Sequence, residues 1–140
     1  MKALTLRLDP WKWMGVVLVG GTPDQARAWL KKETGIEPNI GAHAVGHAYV
    51  NYGQPWLLWM DSADDVATLA HEALHIASGV LEHRGLKFTA DSEEAYTYTM
   101  EFIVRAVRSC RNWREVGPMS KRNQKRKKGH GPRRNGTVRR

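Results

Sequence analysis

The stretch from Leu69 to Ala77, LAHEALHIA, constrains the fold more than any other part of the chain. Its only ionisable side chains are His71, Glu72 and His75. On a helix, residues four apart share a face and stand about 6 Å apart along the axis. A helix here therefore sets both imidazoles on one side. Leu69, Ala70, Ala73, Leu74, Ile76 and Ala77 carry no charge. Such a helix can lie at the centre of a small domain, and the rest of the chain must cover it while leaving the histidines accessible.

The spacing carries chemistry as well as geometry. Two imidazoles so placed reach one metal ion through ring nitrogens. Glu72 falls beside the ion, where a carboxylate can take a proton from a metal-bound water and pass it to a leaving amine. A zinc-dependent peptidase follows as the expected activity, with one Zn2+ per chain, a protein or peptide substrate, and Glu72 as general base and acid. A catalytic zinc takes three protein ligands and keeps one position for water. His83 lies eight residues past His75, about 12 Å further along a continuous helix, which is too far to share the ion. Glu93 and Glu94 stand 18 and 19 residues after His75 and open the next helix. A turn and an antiparallel return bring either carboxylate back toward the metal.

These residues resemble the gluzincin metallopeptidases, which carry HExxH on one helix and a glutamate ligand on the next. Residues 55–110 are also similar to small HExxH proteins encoded by tailed phages and prophages. In gluzincins the ligand glutamate commonly precedes a small residue, and in EEAYTY (93–98) Glu94 precedes Ala95. The resemblance therefore implies a metal set of His71, His75 and Glu94. The metzincin pattern is absent, because positions 78 and 81 are Ser78 and Leu81 where it needs glycine and histidine. Larger gluzincins place an aspartate one turn after the ligand glutamate, where this chain has Tyr98.

Other side chains are candidates for supporting roles. His43, Val45 and His47 alternate, so on a strand the two histidines share a face and can stabilise an oxyanion. Tyr96 and Tyr98, near the expected third ligand, can donate a hydrogen bond to the transition state. Packing or surface polarity is the commoner use of all four. Trp56 and Trp59 precede the metal helix and can shape a substrate groove, although core anchoring is the ordinary role of tryptophan.

Around the motif, local signals outline an α+β zincin-like domain over 1–118. A short mixed sheet of three to four strands packs on a capped helix, a metal-binding helix and a glutamate-bearing helix. Strands are expected at 3–8, 15–21, 42–53 and 55–61. The segment 22–35 is a helix with Thr22 as N-cap, Pro23 at the first position, Gln25 completing a capping box and Gly35 as the stop. The metal helix begins at a cap on Asp61 or Ser62 and runs to Gly79 or Glu82. The last helix spans 91–113 with Asp91 as cap.

Charge divides the chain. The net charge of +8 is an average over two unlike parts. Residues 121–140 hold ten Lys/Arg and no acid, whereas 1–120 hold 12 basic and 14 acidic residues, a net −2. A flexible basic tail is expected over 119–140. Its cations are Lys121, Arg122, Lys125, Arg126, Lys127, Lys128, Arg133, Arg134, Arg139 and Arg140. They suit the phosphates of nucleic acid or an acidic protein surface, without aromatics for reading bases. No apolar run reaches the roughly 18 residues of a membrane helix. No signal-peptide pattern opens the chain, and Cys110 has no internal partner, so a cytoplasmic location, in a host cell or virion, is expected. Two other readings compete. One is a virion or nucleic-acid-associated structural protein whose metal only stabilises the fold, with a fourth ligand from His43, His47 or His83. The other is a DNA-dependent protease resembling the SprT-like group, which HRGLKF (83–88) loosely echoes.

Overall fold

A computed structural model describes residues 1–9 and 11–117. The tail cations at 121–140 and the flexibility expected of 119–140 fall outside the described residues.

Alternating side chains form β1 (Lys2–Leu8), which pairs antiparallel with β2 (Trp13–Val19). Strand β4 (Trp56–Met60) runs parallel to β2, and β3 (Gly46–Tyr49) pairs antiparallel with β4. A two-residue β5 (Arg114–Glu115) joins β1 antiparallel and completes a mixed sheet of order β3-β4-β2-β1-β5. Five strands exceed the expected three to four. The sequence offers no apolar run at 114–115, because β5 exists only through its pairing with Lys2 and Ala3.

Three helices cover the two faces of this sheet: α1 (Pro23–Thr34), α2 (Val66–Glu82) and α3 (Glu93–Ser109). The layering is written in β4, whose five residues are all buried. Trp56, Leu58 and Met60 join Leu69, Ala73, Ile76 and Val80 of α2 and Ile103 and Val107 of α3. Leu57 and Trp59, on the other face by strand alternation, join Ala26, Trp29 and Leu30 of α1. A strand buried on both faces must read as a continuous apolar run, and WLLWM does. Fully burying each aliphatic side chain of this kind contributes about 1.5–3 kcal/mol. Neither tryptophan of β4 shapes a groove. Both are buried, with Trp56 Nε1 donating to the Trp13 carbonyl and Trp59 Nε1 to the Gly20 carbonyl.

Helix α1 carries the local signals its sequence announces: the reciprocal Thr22–Gln25 box and a left-handed Gly35 at its end. The other two helices begin differently from expectation. Asp65, not Asp61 or Ser62, caps α2, accepting hydrogen bonds from the backbone and hydroxyl of Thr68. The Ser62 hydroxyl instead accepts from the Asp64 amide within the preceding loop. Ser92, not Asp91, stands at the N-cap position of α3, and no side chain caps the helix. Ser92 Oγ is committed to the α2–α3 loop, accepting from the Thr89 amide and donating to the Lys87 carbonyl. No helix among the described residues is long and apolar enough to cross a membrane.

Candidate metal centre

Helix α2 presents its apolar side to the sheet and α3, which leaves His71 and His75 exposed along one flank. Their rings meet edge to face with centroids 4.7 Å apart, and the two Nε2 atoms converge to 3.1 Å. Two nitrogens each about 2.05 Å from one zinc, at a tetrahedral angle, stand about 3.3 Å apart. The imidazole pair therefore fits two positions of one metal ion.

Glu72 lies beneath β3, beside the pair, and lines one cavity with His75. It is 8% exposed and is the buried charged residue of the described chain. Gly46 makes its position possible. A Cβ at Gly46 would fall 2.9 Å from Glu72 Cγ, 3.0 Å from its Oε1 and 2.5 Å from Thr68 Cγ2. One turn beyond His75, a Cβ at Gly79 would fall 2.7 Å from Val50 Cβ. Two glycines, one on each element, thus let α2 and β3 approach closely on either side of the motif.

Between them opens a cavity of about 430 Å3 lined by His47, Glu72 and His75, with Gly46, Ala48, Val50 and Gly79. His47 is half-buried in its wall. Burial holds its imidazole below the ordinary histidine range; the Glu72 carboxylate opposes that shift and His75 adds to it. That shift favours the neutral ring, which offers one N–H donor and one lone pair. The sequence placed His43 on the same strand face, but β3 begins only at Gly46. His43 lies in a turn closed by the Ala44 amide on the Gly41 carbonyl, and it is exposed.

The expected third ligand is not gathered with the pair. Among the described residues, no group of three or more His, Cys, Asp or Glu side chains stands in metal-binding geometry. Helix phase and level give the reason for Glu94. Tyr96, Met100, Ile103 and Val107 form the stripe of α3 that packs inward. At 100° per residue, Glu94 sits about 150° around the helix from that stripe, and Glu93 about 50°. The helices run antiparallel, with Arg108 of α3 reaching the Ala63 carbonyl at 3.4 Å and Tyr96 Oη donating to the Leu86 carbonyl at 2.7 Å. The first turn of α3 therefore lies level with the end of α2, about two helical turns beyond His75. The two tyrosines are also accounted for elsewhere. Tyr96 is buried and anchors the α2–α3 loop, with Phe88 packed edge-on against its ring. Tyr98 is exposed and lines a separate cavity with Leu8, Asp9 and Trp11. His83 packs against Trp13 and Tyr52, away from the imidazole pair.

Sequence reasoning missed the part played by Gly46 and Gly79. Isolated glycines inside a strand and a helix are the signal that could have found them. No protein-family model, no curated protein and no solved structure matches this chain.

Proposed function

We propose that the protein is a zinc-dependent peptidase, a zincin-like domain whose centre is the His71–His75 pair beside Glu72. The observation that carries this reading is the 3.1 Å convergence of two Nε2 atoms next to a cavity holding a buried carboxylate. Zinc held by the pair would polarise the scissile carbonyl and the attacking water. Glu72 takes the proton from that water as its oxygen bonds to the carbonyl carbon. The same carboxylate then gives the proton to the amide nitrogen as the C–N bond breaks, leaving a carboxylate and an amine. His47 donates its ring N–H to the developing oxyanion from the cavity wall. Strand β3 lies at the sheet edge, so an extended substrate can pair with its free backbone groups and pass the cavity. The third protein ligand is Glu94 on the gluzincin resemblance or His47 on position, and His47 serves the oxyanion only where Glu94 holds the metal.

The second reading, a closed structural zinc, is favoured by one observation: His47 faces the same cavity as His75. Were it a ligand in addition to Glu94, the set of four would close and water would lose its place. The basic residues at 121–140 are proposed to hold nucleic acid through phosphate contacts.

Hydrolysis of a quenched-fluorescence peptide library by the zinc-loaded full chain tests the peptidase reading. Activity is expected, and Glu72→Gln should lower it by about 10²–10⁴-fold while zinc stays bound. Zinc-loaded protein that cleaves no peptide would favour the structural site.

A further inference from the structure

A cavity of about 510 Å3 lies apart from the His71–His75 pair, at the end of α2. Two hairpin turns meet there. Trp13 Nε1, at the start of β2, donates to the Gln54 carbonyl of the β3–β4 turn at 2.6 Å. Tyr52, at the tip of the second turn, is 72% exposed. His83, at the C-terminus of α2, brings its ring to 5.6 Å from Trp13 and 5.9 Å from Tyr52. Arg84 sets its guanidinium 6.0 Å over the Trp13 ring while donating to the Trp11 carbonyl at 3.2 Å. Lys12 completes the wall from a left-handed backbone conformation, φ 53°, that a lysine rarely adopts. No carboxylate lines this cavity.

Residues 1–120 carry a net −2. Two cations without an acid among them are therefore a local arrangement and not a reflection of the average. The exposed Tyr52 ring and the half-buried Trp13, flanked by cations with no carboxylate in the lining, complement a base and its phosphate. Each base presents a π-face for stacking, and each phosphate a negative charge for Lys12 or Arg84. A duplex hides its base faces, so such a platform selects unpaired strands.

We propose that Tyr52, Trp13 and His83, with Lys12 and Arg84, form a binding site for single-stranded nucleic acid. The site is independent of peptide hydrolysis, and it differs in kind from the basic residues at 121–140. Those attract any phosphate backbone, whereas the platform supplies strand preference.

The test compares the full chain with its Tyr52→Ala, Tyr52→Phe and Lys12→Gly variants. Each is titrated with a fluorescein-labelled oligothymidylate and with a duplex of equal length, at two salt concentrations. The unaltered chain should prefer the single strand, and the preference should persist at the higher salt although both affinities fall. Tyr52→Ala should weaken the single strand by about tenfold or more and leave the duplex unchanged. Tyr52→Phe, which keeps the ring, should match the unaltered chain. Lys12→Gly relieves the left-handed backbone while removing a charge, and should weaken single-strand binding by a few-fold. Equal single-strand affinity for Tyr52→Ala and the unaltered chain would overturn the proposal. So would an equal loss on both nucleic acids. Displacement of a fluorescent acidic–aromatic peptide from Tyr52 with no oligothymidylate binding would overturn it in favour of a peptide subsite.

Discussion

The two faces of the sheet are built by different rules. On the α1 face, every local choice agrees with its neighbours: a reciprocal capping box, proline at the helix start, a left-handed glycine at its end, and an apolar cluster closed by Trp29, Leu30 and Trp59. On the α2–α3 face, α2 buries a carboxylate under an edge strand, leaves two imidazoles exposed on its flank, and precedes a helix with no side-chain cap. Agreement across levels is what makes a region stable, and departures from it concentrate where a region does chemistry. On the proposed function, both faces contribute stability and the α2–α3 face alone carries chemistry, a contrast that can be broken experimentally.

The largest effect should come from the face without a site. Trp59→Ala empties a buried position between the sheet and α1 and should cost about 3–5 kcal/mol, read by denaturant unfolding. In the fraction that remains folded, zinc content should be unchanged. Loss of zinc from folded Trp59→Ala protein would mean that the two faces are coupled through β4.

Gly46→Ala should act in the opposite sense. Its new methyl group meets Thr68 and Glu72, so either α2 shifts from β3 or the carboxylate leaves its seat. Overpacking of this kind costs about 1–3 kcal/mol. Turnover should fall further than stability alone explains, because the general base is displaced. A variant with full peptidase activity would show that the close approach of α2 and β3 plays no part in catalysis.

The smallest effects separate the helix caps. Thr22→Ala should cost about 1 kcal/mol at every pH, because a hydroxyl caps α1. Asp65→Ala should cost stability only where the carboxyl is ionised. Hydrogen bonds from the Thr68 hydroxyl and amide hold the Asp65 carboxyl below its ordinary range, against a weaker opposing effect of burial. A depressed folded value means that this contribution is fully present above the unfolded carboxyl value and disappears as pH falls through the folded one. Thermal midpoints of Asp65→Ala and the unaltered chain should therefore differ at pH 7 and converge in strong acid. A gap that persists there would remove the ionised cap from the account.

How much of this was legible follows the same division. The whole of α1 could be read from Thr22 to Gly35, since its signals are local. Helix α2 was legible from the spacing of His71 and His75 and the uncharged residues around them. Its start was not, because Asp61, Ser62, Asp64 and Asp65 offer equivalent capping chemistry and only the fold selects Asp65. The meeting of His47 with Glu72 in one cavity and the exclusion of His43 depend on where β3 begins, and its first residue, Gly46, lies against α2 far away in sequence. The position of Glu94 depends on the level of α3 against α2, fixed by Tyr96 and Arg108 reaching across to the neighbouring loops. Long-range packing of this sort leaves no periodic trace in a single chain.

The central claim is that His71 and His75 form one metal centre. Zinc titrated into metal-free full-length protein, followed by calorimetry and elemental analysis, tests it most directly. The account predicts about one zinc per chain for the unaltered protein and for Glu72→Gln, with binding lost in both His71→Ala and His75→Ala. Comparison of His47→Ala with Glu94→Ala then identifies the third ligand. Stoichiometric zinc retained by His71→Ala or His75→Ala, or no zinc bound by the unaltered chain, would contradict it.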